Sequence, residues 1–237
     1  MYREEYIPLH RNDELLYYRK PMEKLIEQLK KFDVKVNRIT NEAGLQSLFE
    51  ELAPAFLYGG YIKVRDDYRV YIKTVEFYFH SEKINGVHDP IVYHRNGRDM
   101  EKVPYFPFMC IHAHSSGFDI TFESKVGEYR ASALIRSYEV KDMHDGKYLK
   151  WDAKKCLFEK LDKYCYNNQS TYLYAFLNGF AFGNNNDITW EDAPRDSKNV
   201  LGKPRQNVFQ YNENKGIYTK TEKRCERKWS FTRDEQI

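Results

Sequence analysis

The chain has no apolar run of eighteen residues, and its first residues, MYREEYIPLHRNDELLYYRK, contain no hydrophobic stretch of the kind that directs export. Neither export nor membrane spanning is expected, and the expected location is cytoplasmic. Cysteine is scarce. Cys110, Cys156, Cys165 and Cys225 lie far apart and form no CxxC pair, which excludes a zinc-ribbon pattern and a small disulfide framework. They read as reduced thiols. There is no Walker loop, GxGxxG, GxSxG or HExxH, which argues against P-loop nucleotide hydrolysis and α/β-hydrolase chemistry. Internal repeats and low-complexity segments are also missing. Neither sign of charge dominates: the net charge is +3 and the pI about 8.4, a mildly basic balance that permits nucleic-acid binding without requiring it.

Aromatic residues are abundant. Tyr 20 and Phe 15 help bring the aromatic share to 16%, within 41% hydrophobic residues. This excludes disorder and fits either an aromatic core or stacking on flat ligands. The length of 237 residues suits one domain. A helix is predicted from Pro21, with Leu25, Leu29 and Phe32 on one face, followed by a short strand at Val34–Val36. Thr40 or Asn41 caps a second helix with Leu45, Leu48, Phe49 and Leu52 as its apolar side, ended by Pro54 and Gly59-Gly60. From Tyr61 strands take over: YIKV, a turn at Asp66-Asp67, YRVYIKTVEFYFH, then FMCIHAH, FDITFES and YRASALIRSYEV. The remainder reads as helical over WDAKKCLFEKLDKYCY and STYLYAFLNGF, and as irregular from Trp190 to Arg205. Residues 203–237 are basic, either a solvated face or a phosphate-tracking stretch. The expectation is a single α+β domain with a curved, mostly antiparallel sheet flanked by helices. It comprises an N-terminal helical segment (1–60), a β-rich core (61–140) and a helical and irregular remainder (141–237).

The stretch YIKTVEFYFHSEKINGVHDPIVYHRN, residues 71–96, concentrates the chemistry. Glu76 lies inside a strand, where a carboxylate is costly unless solvated, paired or used. Tyr78 projects from the same face. The following turn carries His88, Asp89, Tyr93, His94 and Arg95. Glu76 is either a general base that activates water or a strand carboxylate that faces solvent or pairs with Lys73. His112 and His114, two apart in a strand, could bind a metal ion with His88 and Asp89, or line a pocket or the core. Asp119 could orient a water or a histidine, or cap a turn after Gly117. Arg136, in an apolar strand, needs a phosphate or a buried carboxylate as partner.

The order VYIKTVEFYFH, DPIVYHRNG, CIHAHSSGFDITF, SALIRSYEV and LGKPRQNVF resembles the alkyladenine (3-methyladenine) DNA glycosylase family over about Tyr61 to Phe209. The best local match is ALIRSYEV, followed by the Glu-x-Tyr pair and the Asp-to-His loop. Ser116-Gly117 stands where the family has the Tyr-Gly whose tyrosine wedges into the duplex. Asp119 is the counterpart of the family's asparagine, and the Asp89-to-His94 spacing is one residue longer. The resemblance implies the glycosylase fold and an enzyme of base excision repair that hydrolyses N-glycosidic bonds of alkylated or deaminated purines. It makes Glu76 the base for the attacking water, with Arg136 holding the loop or the water. Tyr78 stacks on the flipped base, and His94 contacts the nucleotide or its 5′ phosphate. Tyr93, His112, His114 and Asp119 complete the substrate-binding set. DNA is the implied partner of a monomer that needs no metal or organic cofactor. A metal-dependent hydrolase built on the histidines and a non-catalytic nucleic-acid-binding relative of the same fold are the alternatives.

Overall fold

A computed structural model describes residues 24–81, 89, 105–106, 108–114, 117–149, 180–181, 188–195, 200–205, 209–212, 217–220 and 227–234. The helix predicted over 151–166 and, apart from Phe180, the one predicted over 170–180, together with His88, Tyr93 and His94, lie outside the described residues; Phe180 is in a strand.

The N-terminal helix α1 spans Leu25–Val36, and Leu25, Leu29, Phe32 and Val36 form its buried stripe at 3.6-residue spacing. The short strand expected at Val34–Val36 is instead the last turn of this helix, because Val36 continues the stripe that Leu29 and Phe32 began. Helix α2 spans Glu42–Tyr58. Asn41 is its cap, accepting a bond from the Gly44 N–H through its side chain at 2.9 Å. Pro54 does not end α2, which runs on to Tyr58. A proline there costs the helix a hydrogen bond. Burial of Ala53, Ala55, Phe56, Leu57 and Tyr58 around it offsets that loss.

The hairpin β1 (Gly60–Val64) and β2 (Tyr68–Ser81) forms as its alternating pattern predicts, and β3 (Cys110–His114), β4 (Gly117–Thr121) and β5 (Tyr129–Asp142) follow. Beyond β5 the described elements are strands: β6 (Tyr148–Leu149), β7 (Phe180–Ala181), β8 (Ile188–Asp192), β9 (Phe209–Asn212), β10 (Ile217–Lys220) and β11 (Ser230–Thr232). Strand β8 takes the free edge of β1, so part of the stretch expected to be irregular is paired, Trp190 lying opposite Ile62. A side chain at Gly60 would collide with the Glu191 carbonyl and the Trp190 ring across that edge. The described architecture is α+β. A curled antiparallel sheet runs in the order β7-β3-β4-β5-β2-β1-β8, with β11 added to β2 and β6 to β5; β9 and β10 form a separate ribbon.

Both helices cover one face of the sheet. Phe77 and Phe79 of β2 meet Phe49 and Phe32 there, with Phe49 and Phe77 stacked at 4.6 Å. Trp229 and Phe231, from the basic C-terminal stretch, are fully buried in the same core. That stretch is therefore partly core, and neither a solvated face nor a phosphate track describes Arg205 and Arg233, which are also buried.

Strands β2 and β5 share the longest ladder, and its register slips twice. Between Ile72↔Tyr138 and Thr74↔Ser137, Lys73 is the extra residue on β2; between Thr74↔Ser137 and Val75↔Ile135, Arg136 is the extra residue on β5. Each bulge inverts the inside–outside alternation of its strand. Core positions accordingly run Val70, Ile72, then Val75, Phe77, Phe79 on β2, and Ala131, Ala133, Ile135, then Tyr138, Val140 on β5. Because the two slips cancel, the apolar face stays continuous across both halves, and so does the opposite, polar face.

Phe77 touches aromatic rings from α2, β11 and the segment after β4. Phe77→Ala is expected to lower unfolding stability by about 3–5 kcal/mol, read from urea denaturation midpoints.

Candidate functional site

The polar face of the sheet is where the chemistry collects. Ladder pairings set up a row Ser230–Glu76–Leu134–Asp119–His112 across β11, β2, β5, β4 and β3. The adjacent row is Tyr78–Ser132–Thr121–Cys110. This face is polar yet buried: Glu76, Asp119, Thr121, Ser132 and Arg130 are each at most 3% exposed.

Glu76 neither faces solvent nor pairs with Lys73, which instead meets Glu139 at 3.3 Å. Its Oε2 accepts a bond from Arg136 Nε at 2.8 Å and another from the Tyr78 hydroxyl at 3.1 Å. The bulge at Arg136 is the local reason its guanidinium reaches a carboxylate on the neighbouring strand. Burial works against the charged Arg136, but the charge of Glu76 and the contact with Tyr78 outweigh it and raise its pKa above the ordinary value. Burial, reinforced by the charge of Glu76, lifts the Tyr78 hydroxyl well above the usual phenol range, so Tyr78 is a standing donor to the carboxylate.

Behind Tyr78 lies a second buried pair. Arg205 Nη1 donates to Asp89 Oδ2 at 2.6 Å and to the Phe77 carbonyl at 3.2 Å. Both side chains of this pair are fully buried. The guanidinium sits between two rings, 4.6 Å from the centre of Tyr78 and 5.0 Å from that of Trp229. Arg227 lies over Trp229 at 4.6 Å and grips Glu42, at the start of α2, with two bonds of 2.7 and 3.1 Å. A chain of cations and rings thus runs from Glu76 through Tyr78, Arg205, Trp229 and Arg227 to the helical layer. Sequence reasoning did not assign Arg205 a role, although it stands in LGKPRQNVF, the last element of the resemblance.

A third buried pair closes the far end of the polar face. Glu123 Oε2 accepts bonds from Arg130 Nη1 at 3.0 Å and from the Phe106 N–H at 2.8 Å, while Arg130 lies 4.0 Å over the Tyr105 ring. Burial prevails over these donors and pushes the Glu123 carboxyl up to about 7.

Of the sequence-derived candidates, Glu76, Tyr78 and Arg136 come together, and Asp119 occupies the same face two strands away. His112 and His114 have the expected strand backbone, and His112 is in register with Asp119. Asp89 does not stand free for a metal, because its carboxylate is bound to Arg205. Among the described residues, no three His, Cys, Asp or Glu side chains are grouped to hold a metal ion, and no helix is long and apolar enough to cross a membrane. Comparison with protein-family models, with curated proteins and with solved structures finds no match to this chain.

Two outcomes follow from the buried charges. Asp89→Ala leaves Arg205 without its carboxylate in a dry site and is expected to cost about 3–5 kcal/mol of stability, whereas Asp89→Leu combined with Arg205→Met is expected to cost clearly less. Denaturation of the single and double variants reads the difference. Glu123 ionises later in the folded than in the unfolded chain, so the stability it confers is complete below its unfolded pKa and is lost as pH rises through about 7. Wild-type stability relative to Glu123→Gln is expected to fall between about pH 4.5 and 7, by roughly 3 kcal/mol at most; parallel pH profiles for the two proteins would refute that titration.

Proposed function

We propose that the chain is a DNA glycosylase of the alkylated- or deaminated-purine type. It turns a damaged purine out of the DNA and hydrolyses its N-glycosidic bond with a water activated by Glu76. The observation that carries this reading is the buried carboxylate of Glu76 held between Arg136 and the Tyr78 hydroxyl. The order of motifs that resembles the alkyladenine glycosylases gives roles to these same three residues.

The chemistry fits the residue types. As the bond from C1′ to the base nitrogen breaks, its electron pair leaves with the base and positive charge grows on the sugar. A fixed carboxylate beside that sugar favours the transition state, and Arg136 and Tyr78 hold the carboxylate in place by hydrogen bonds. The demand on Glu76 as a base is modest, because the proton moves from water to Glu76 only as the water oxygen bonds to the electron-poor C1′. The Tyr78 ring provides the stacking wall that the resemblance implies. Arg205 packs against that ring, 4.6 Å from its centre. Asp89, clamped by Arg205, anchors the start of the DPIVYHRNG loop, to which the resemblance assigns the nucleotide contact of His94.

The test is base release from duplex and single-stranded DNA carrying alkylated or deaminated purines. Wild-type protein is expected to release at least one such base. Glu76→Gln is expected to slow release by about 10²–10⁴-fold while keeping DNA affinity within roughly threefold. Undiminished release by Glu76→Gln would remove the role given to Glu76. No release of any of these bases by the wild type would leave a non-catalytic relative as the better description.

A further inference from the structure

The polar face that holds Glu76 continues past the paired bulges toward the other end of β2, and there it becomes open and aromatic. Ladder pairings place Lys63 beside Arg69 and Arg69 beside Lys141, with Tyr148 opposite Lys141. Tyr71 lies opposite Glu139 in the neighbouring row. The rings of Tyr61, Tyr71 and Tyr148 form a line, with centres 5.5 and 6.4 Å apart. Arg69 lies 4.9 Å over Tyr61, and Arg195 lies 4.4 Å over Tyr71. Arg195 is exposed, Tyr148 is 44% exposed, and Tyr61, Arg69, Tyr71 and Lys141 are partly so. Beside this line a cleft of about 130 Å³ opens between Tyr61, Tyr68, Lys63 and Arg69, with Asp66 and Glu191 also on its wall.

Charge singles out the occupant. Lys63 is paired with Asp66, and Lys73 with Glu139. Arg69, Lys141 and Arg195 have no carboxylate within ion-pair distance among the described residues. Three cations with no carboxylate beside them among the described residues, interleaved with a row of tyrosines on one sheet face, match a polyanion whose flat groups repeat along a strand. Aromatic rings stack on any base, and arginine adds both phosphate contact and cation–π attraction. The distance also fits. Five residues of strand separate Tyr71 from Glu76, about 16 Å, or roughly five stacked nucleotides at about 3.4 Å each.

We propose that the Tyr61–Tyr71–Tyr148 face, with Arg69, Lys141 and Arg195, binds a single-stranded segment of nucleic acid lying alongside the base presented to Glu76. The inference takes its class of partner from the glycosylase reading. It is tested without a lesion, so that its failure and the failure of base release can be told apart.

The probe is a fluorescein-labelled oligothymidylate of about twelve nucleotides, titrated by anisotropy at several salt concentrations. Wild-type protein binds it, and affinity falls as salt rises. Arg69→Gln, Lys141→Gln and Arg195→Gln together weaken binding at least tenfold and reduce the slope of log affinity against log salt by about 2, three contacts at about 0.7 each. Tyr61→Leu with Tyr71→Leu, which keeps apolar packing but removes the rings, weakens binding by about fivefold or more with the slope unchanged. Lys24→Gln, Lys30→Gln and Arg38→Gln remove the same charge from the helical layer and leave affinity within about twofold and the slope within about 0.5 of wild type. The proposal is overturned if the wild type does not bind the strand, or if the two triple variants lose affinity equally. It is overturned too if binding is indifferent to the sheet-face cations. Base release is measured on the same preparations, and its presence or absence bears on Glu76 alone.

Discussion

The sheet is buried on both faces around Glu76, and that single constraint accounts for much of the structure. An ionised carboxylate inside a protein costs several kcal/mol unless a cation meets it with good geometry. Arg136 meets it, and Tyr78 adds a neutral donor that burial keeps protonated. The same demand recurs at each step outward. Arg205 needs Asp89, Arg130 needs Glu123, and Arg233 needs Glu139. The polar face is therefore tiled with ion pairs, several of which fix segments that are distant in sequence. Arg205 joins the stretch after residue 200 to Asp89, and Arg227 ties the segment before β11 to the first turn of α2 through Glu42.

Such an arrangement divides labour between the two faces. On the helical side, Phe32, Phe49, Phe77 and Trp229 supply non-directional burial and most of the stabilisation. On the other side, buried ion pairs add little net stability over apolar packing but impose definite geometry, because a guanidinium and a carboxylate have few ways to meet. A site that must hold one oxygen in place gains from the second kind of surface, and a fold of this size needs the first. Arg205 belongs to both: one nitrogen binds Asp89, and its plane is packed between Tyr78 and Trp229.

The parts of this fold legible in the sequence are those written in local periodicity. The stripe Leu25, Leu29, Phe32, the cap at Asn41 and the alternation through β2 and β5 all appear where their spacing puts them. Pro54 misled because packing overrode its local penalty, and Val34–Val36 misled because β-branched residues also fit a helix when one of them faces the core. Strand β11 was hidden because its order comes from the partner strand, not from itself. KWSFTRD reads as a basic tail until β2 offers an edge for Trp229 and Phe231 to enter the core. At the site, Glu76, Tyr78 and Arg136 were legible as polar residues in apolar strands, a placement that needs a reason. Arg205 was not, since its significance lies in contacts with Asp89, Phe77 and Tyr78, each more than a hundred positions away, and with Trp229 farther along the chain.

The two bulges couple the lengths of two strands. Lys73 on β2 and Arg136 on β5 each add one residue to opposite sides of the same ladder, and the additions cancel. Losing Lys73 alone would turn half of β2 over, presenting Glu76 to the phenylalanine core and Phe77 to the arginines, and losing Arg136 alone would turn over half of β5. Losing both would restore the register but remove the guanidinium that Glu76 depends on. Over evolutionary time this ladder can therefore change length only by matched steps. A lineage that shed the bulges in concert would keep its fold while losing the Glu76–Arg136 pair, so the spacing from Ile72 to Val75 and from Ile135 to Tyr138 is a signature by which descendants that keep that pair can be told from those that do not.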